Sequence, residues 1–261
     1  MKISIVTAYY NRRQLFINTL KSIEKSKYKD LVEIIVVDDN SNEQNRIEDL
    51  PELFNLDIKV IRIEEKDKTW MNPCVPFNIG FKQASNEIVI LQNPECLHIG
   101  DVIDFTFNNI KENVYLNFAC YSINGELTDK VSNYNFDNYD NINNLLQPMV
   151  NRPVGIDGET AWYNHSIYRP HKLHFCSAIM KSDLDDLGGF DERFANGIAY
   201  DDNEFLLRIQ RKGMEVKVID SPFVIHQFHG ITQYGQKQEY VNKNYMLYKH
   251  VLVNEKNYKV N

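Results

Sequence analysis

Glu33-Ile34-Ile35-Val36-Val37-Asp38-Asp39-Asn40-Ser41 is an unbroken apolar, β-branched run that stops abruptly in four polar residues. A short run of this kind reads as a strand buried on both faces. Ile3-Ser4-Ile5-Val6-Thr7 repeats the pattern upstream, and Asp57 to Ile63 and Glu87 to Leu91 read as a third and a fourth strand downstream. The segments between them have helical spacing. Phe16, Leu20 and Ile23 fall at i, i+4 and i+7. Ser41-Asn42-Glu43-Gln44 fits a capping box opening a helix, and Pro76 suits a first helical position leading through Phe77, Ile79 and Phe81 to Ala84. This alternation predicts an α/β fold: a mixed, mainly parallel sheet flanked by helices on both faces.

The second half is less regular. Asp101 to Lys111 reads as helix, Val114 to Ile123 and His174 to Met180 as strands. Residues from about 124 to 171 are polar, asparagine-rich and weakly periodic, which predicts long loops over one face. Asp202 to Lys212 is an amphipathic helix closed by Gly213, followed by a strand over Glu215 to Asp220 and a last helix over Glu239 to Val253. No internal repeat or linker divides the chain, so residues 1–261 are expected to form a single domain.

Composition excludes several functions. The 261 residues carry 29 Lys+Arg against 36 Asp+Glu, a formal net charge of −7, which argues against nucleic acid as a partner. It leaves room for an anionic ligand bridged by a metal, because a bound cation reverses the local sign. Cys74, Cys96, Cys120 and Cys176 form no CxxC pair, so neither a disulfide framework nor a structural zinc site is expected. Four reduced thiols fit a reducing compartment, and the expected location is cytoplasmic. No stretch reaches the roughly 20 apolar residues of a membrane span, and Met1 to Tyr10 lacks a signal-peptide core. Without such a signal, the sequon Asn164-His165-Ser166 is read as chance.

Open parallel sheets bind ligands outside the carboxyl ends of their strands. That rule selects Thr7-Ala8-Tyr9-Tyr10-Asn11, Asp38-Asp39-Asn40-Ser41, Gln92-Asn93-Pro94-Glu95 and Ile225-His226-Gln227-Phe228-His229. Their hydroxyl, carboxylate, amide and imidazole groups would converge on a polar, anionic small molecule. Taken alone, turn and capping chemistry explains Asp38 to Ser41 as well as ligand binding does.

The first two segments in this order resemble the opening of family 2 glycosyltransferases of the GT-A fold, and the resemblance runs over about residues 2 to 230. It implies that Thr7, Ala8 and Tyr9 line the donor base and that Asp39 accepts from the uracil imide. Asn72-Pro73 and Asn78-Ile79-Gly80 resemble the family's helix start, which would place Asn72 and Asn78 on the donor. Trp70 is read either as a stacking face or as packing. Where the family carries Asp-x-Asp, this chain has Asn93 and Glu95. Glu95 would hold a hard divalent cation, and Asn93 would offer an amide oxygen to the metal or a hydrogen bond to ribose. Gly188-Gly189-Phe190-Asp191-Glu192 followed by Asp201-Asp202 is similar to the acceptor segment. By register, Asp202 is the catalytic base, while Asp201, Gly189 and Trp162 are assigned to the acceptor. His226 would complete the metal shell, with His229 as runner-up, and the mixed ligands suit Mn²⁺ or Mg²⁺. His171 and His174 are treated as acceptor-loop or structural residues.

The implied activity is inverting, metal-dependent transfer from a nucleotide-sugar donor, expected to be UDP-linked, to a glycan, lipid-linked or protein hydroxyl. Residues about 1–100 would bind the nucleotide and about 101–261 the acceptor. Two rivals stay open. A sugar nucleotidyltransferase would need a Gly-rich loop after the first strand, which Thr7 to Asn11 lacks. A catalytically silent binding module is favoured by Asn93 and opposed by the joint presence of Glu95, Asp202 and His226.

Overall fold

The computed structural model describes residues 1–132, 160–230 and 237–261. The run that opened the sequence reading is strand β2 (Val32–Asp38), lying parallel between β1 (Ile3–Tyr9) and β3 (Asp57–Arg62). Strand β4 (Ile88–Gln92) pairs parallel on the other side of β1. As expected of a doubly covered strand, Ile34 and Val36 enter one core cluster while Ile35 enters another.

Helix α1 (Arg13–Ile23) and, later in the chain, α4 (Val102–Asn109) supply Phe16, Leu20, Ile23, Val102 and Ile103 to the first cluster. Helix α3 (Cys74–Gln83) covers the opposite face with Phe77 and Phe81. A short helix α2 (Leu50–Leu53) precedes β3. The sheet continues through β5 (Cys96–Ile99), β6 (Val114–Ser122), β7 (Ala161–Asn164), β8 (Cys176–Met180) and β9 (Glu215–His226). Its order is β3-β2-β1-β4-β8-β6-β9-β5, with β7 on β6. Helix α5 (Gly125–Ser132) follows β6, α6 (Lys181–Leu187) follows β8, and α7 (Asp201–Arg211) and α8 (Gln238–Asn254) flank β9 in sequence. One mixed sheet between two helical layers is the expected architecture.

Several local expectations need correction. Ser41 opens no helix, because its hydroxyl accepts from Asn11 N at 2.9 Å. Asn42 caps a single 3-10 turn, Glu43–Asn45, instead. The span from 124 to 171 is not all loop: Gly125–Ser132 is helical and Ala161–Asn164 is a buried strand. The rest of that expectation, residues 133–159, lies outside the described residues. Strand β9 runs six residues beyond its expected end at Asp220 and so brings His226 to the sheet edge.

Gly80 sets how closely α3 approaches the sheet. A methyl there would overlap Val6 Cγ1 and press on Val37. Gly80→Ala is expected to destabilise by about 1–3 kcal/mol through overpacking. Urea melts check this, and a loss under about 0.5 kcal/mol, within the usual range of surface changes, would show that the helix can shift freely.

Candidate active site

The chain topology brings three groups of side chains to one edge of the sheet. Strands β1, β2 and β4 end there in parallel, and β9 ends there at His226. Helix α7 leads into the start of β9 at the far edge, so its first residues, Asp201 and Asp202, stand at the same edge as His226.

Glu95 forms the centre of the first group. It lies in the β4–β5 connection and is 1% exposed. Its Oε2 accepts from Arg12 Nη1 at 2.7 Å, and its Oε1 faces His226 Nε2 at 3.1 Å and His229 Nε2 at 3.7 Å. Burial opposes the charge on Glu95, but Arg12 and then the two imidazoles outweigh it and hold the carboxyl well below the usual range. Burial takes His229 down to about 4, which leaves its imidazole neutral near pH 7. The three ligand atoms lie within 4.8 Å of one another, close enough to share one metal ion. Both histidines considered from the sequence therefore reach Glu95. Asn93, two residues earlier, is half-buried in the same connection, where its backbone N–H donates to Phe175 O at 3.0 Å.

Gln227 ties these ligands together and was not singled out from the sequence. Its backbone N–H and its Nε2 both donate to Glu95 O, at 3.2 and 3.0 Å. Its Oε1 accepts from Asn18 Nδ2 of α1 at 2.8 Å. The carboxylate and the imidazoles thus share one backbone anchor.

The second group surrounds Asp39. Its Oδ1 accepts from Trp70 Nε1 at 2.9 Å and its Oδ2 from Lys68 Nζ at 2.9 Å. Burial raises the Asp39 carboxyl above its ordinary value, with Lys68 and Trp70 opposing. Lys68 Nζ also lies 4.7 Å from the ring centroid of Tyr10, which is 49% exposed. Ala8 and Trp70 pack against the same core cluster. Of the two tyrosines, the sequence reading took Tyr9, but that ring is fully buried against Phe16 and its hydroxyl donates to Asn45 O at 2.6 Å. The strand's two-residue period explains this: Tyr9 shares a face with Ile3 and Ile5. Thr7 is also turned inward, donating to Gln92 O. Asp38 is internal as well, paired with Arg62 at 2.6 Å.

The third group holds the acidic pair opening α7. Asp201 accepts from Asn72 Nδ2 at 3.0 Å, while Asn72 Oδ1 accepts from Cys74 N at 2.9 Å. Asn72, expected on the donor, therefore links the start of α3 to the start of α7. Burial, followed by repulsion from Asp201, pushes the Asp202 carboxyl up to about 7. His174 lies against Phe77 and Phe190, and its Nδ1 is buried with no partner among the described residues.

Besides Thr7 and Tyr9, three more expected residues are turned away from a ligand. Asn78 donates to Phe190 O at 2.8 Å and to Glu192 Oε1 at 3.0 Å, and accepts from Phe190 N at 2.8 Å. Gly189, at φ +70°, lies directly over the Asn78 amide, where a side chain would collide. These two residues close a structural turn. Trp162 is 2% exposed and packs edge-on to Tyr121 and Phe223, so it offers no face to an acceptor.

The family model described as "Glycosyl transferase family 2" matches residues 4–186. The chain belongs to glycosyl transferase family 2. No curated protein matches its sequence significantly. Among solved structures, S. aureus TarS is 17% identical with a TM-score of 0.60, over 97% of this chain and 40% of that one. A TarS fragment, residues 1–349, in complex with UDP-GlcNAc is 18% identical with a TM-score of 0.59, over 90% of this chain and 61% of the fragment. The mannosyltransferase PcManGT of Pyrobaculum calidifontis, in complex with GDP-Man and Mn²⁺, is 16% identical with a TM-score of 0.56, over 94% of this chain and 63% of that one. At these identities the likeness is one of fold, and the chain spans under two thirds of each of these structures. No helix among the described residues is long and apolar enough to cross a membrane.

The family name leaves the ionisation of Asp202 to be measured. Asp201→Asn removes the neighbouring charge and is expected to lower the Asp202 pKa from about 7 by roughly a unit. Carbon-13 NMR titration of labelled aspartate reads this directly, and an unmoved pKa would leave burial as the sole cause.

Proposed function

We propose that this family 2 chain transfers a sugar from a nucleotide-linked donor to an acceptor hydroxyl, inverting the anomeric centre, with help from a divalent cation. One observation carries the reading: the sheet edge holds two carboxyls in opposite states, Glu95 pinned as the anion and Asp202 raised to about 7. Paired carboxyls driven apart in this way take different roles. Glu95 suits permanent charge, and Asp202 suits proton exchange near neutral pH.

Asp202 would take the proton of the acceptor hydroxyl as that oxygen attacks C1 from the face opposite the leaving diphosphate. Asp201, held by Asn72, would orient the acceptor. Glu95, His226 and His229, with Asn93 able to offer an amide oxygen, would hold Mn²⁺ or Mg²⁺; when bound, the cation supplies positive charge against the donor diphosphate. Two imidazoles and a carboxylate fit such an ion and agree with the Mn²⁺ in the mannosyltransferase complex. Asp39 would accept from the imide N–H of the base, and Lys68 beside it would donate to the adjacent carbonyl, with Ala8 and Tyr10 along the ring. Uracil carries that imide N–H between two carbonyls, and guanine offers a ring N–H beside one carbonyl. We favour a UDP-linked donor, in line with the UDP-GlcNAc complex, and GDP-linked sugars are its direct competitors.

In this reading residues about 1–100 bind the nucleotide and about 101–261 the acceptor, a glycan, lipid-linked or protein hydroxyl. Four buried, unpaired thiols suit a reducing compartment, and a cytoplasmic location is proposed on that ground.

Release of free nucleotide from a panel of UDP- and GDP-sugars with Mn²⁺ tests the activity. Asp202→Asn is expected to lower turnover by about 10²–10⁴-fold, the usual range for a general base, while UDP binding persists. Undiminished turnover would reject the base assignment. With Asp202 near 7, kcat/KM should fall as pH drops below about 7, because protonation removes the base. A profile flat down to pH 5 would contradict its role.

A further inference from the structure

The loop from Phe194 to Tyr200 delivers Asp201 and Asp202 to the site, and helix α8 holds it in an uncommon shape. Ala199 and Tyr200 stand in succession in the left-handed region, at φ 60° and 66°. Residues with a Cβ avoid that region, because the Cβ crowds the following carbonyl. Two in a row persist only where the surroundings fix them.

The fixing groups come from α8. Asn244 is fully buried, and its Nδ2 donates to Ala199 O at 2.8 Å and to Phe194 O at 3.1 Å. The amide nitrogen serves both carbonyls, whereas an aspartate of the same shape has acceptors alone when ionised. Ile198 N donates to Tyr240 O at 3.2 Å, and the Tyr200 ring lies 5.7 Å from Tyr248 and 5.4 Å from Tyr245. This helix lies beyond residues 4–186, the span matched by the family model.

We propose that Asn244 is a positioning residue for the reaction: by clamping Phe194 and Ala199 it fixes the left-handed pair that aims Asp201 and Asp202. The proposal rests on the reading of Asp202 as the base. A side chain that merely filled space would need no donor at that point, whereas here both amide protons go to the two ends of the delivering loop.

The test uses the full chain with Asn244→Asp, which keeps the shape without the donors, and Asn244→Ala. Val251→Ala, elsewhere on α8 and also buried, is the control for simple loss of packing. Hydrogen exchange is followed over residues 197–204, where Gly197, Ile198 and Glu204 donate backbone bonds within or across the loop. Both Asn244 variants should raise exchange there by about tenfold or more, and the control should not at an equal drop in Tm. UDP release from UDP-GlcNAc with Mn²⁺ should fall about 10- to 100-fold in kcat, with calorimetric UDP affinity held within about twofold. Unchanged exchange, an equal effect in Val251→Ala, or raised exchange with undiminished kcat would each overturn the proposal. Asp202→Asn separates the two ideas. If it is inactive while Asn244→Asp keeps full kcat, the positioning role fails and the base stands. If Asp202→Asn keeps full activity, the base reading fails first.

Discussion

A buried carboxylate that stays charged is the constraint around which this sheet edge is built. Glu95 sits in a strand connection away from water, a costly place for an anion without partners. Arg12 supplies one partner from the turn after β1, and His226 and His229 supply others from the end of β9. The charge therefore links the first strand of the sheet, the β4–β5 connection and the last strand. Gln227 reinforces the same junction by bonding the Glu95 backbone. Removing the carboxylate would leave Arg12 and two imidazoles facing one another without an anion between them.

Asp202 has the opposite environment. Among the described residues no cation pairs with it in the way Arg12 pairs with Glu95; burial and the neighbouring Asp201 charge both favour its protonated form. Asn72 meanwhile bonds Asp201, which joins the start of α3 to the start of α7. The sheet edge thus holds one carboxyl as a fixed anion and another near its titration point.

Much of this was legible in the sequence, for physical reasons. The strands β1, β2 and β4 announce themselves because both faces are buried and leave apolar runs. The four-residue strands β5 and β7 are too short to show a period, and β7 hides in a polar stretch. Glu95, Asp202 and His226 are singled out by the family resemblance, which falls on strand ends and a helix start. Tyr9 matches the family motif, but the pleat turns it inward and leaves Tyr10 exposed, a direction that a motif match does not carry. Trp162 carries an aromatic ring suited to sugars, but its burial depends on Tyr121 and Phe223, far from it in sequence. Arg12, Lys68, Gln227 and Asn244 act through partners dozens to hundreds of residues away, and no spacing rule reveals them.

Calorimetry of UDP binding, with Mn²⁺ and with the ion chelated, tests the central claim that the Glu95 cluster holds a cation against the donor diphosphate. Mn²⁺-dependent affinity is expected in the native chain, with loss of that dependence, by about 10-fold or more, in Glu95→Ala. Equal UDP affinity with and without Mn²⁺, or unchanged dependence in Glu95→Ala, would contradict it.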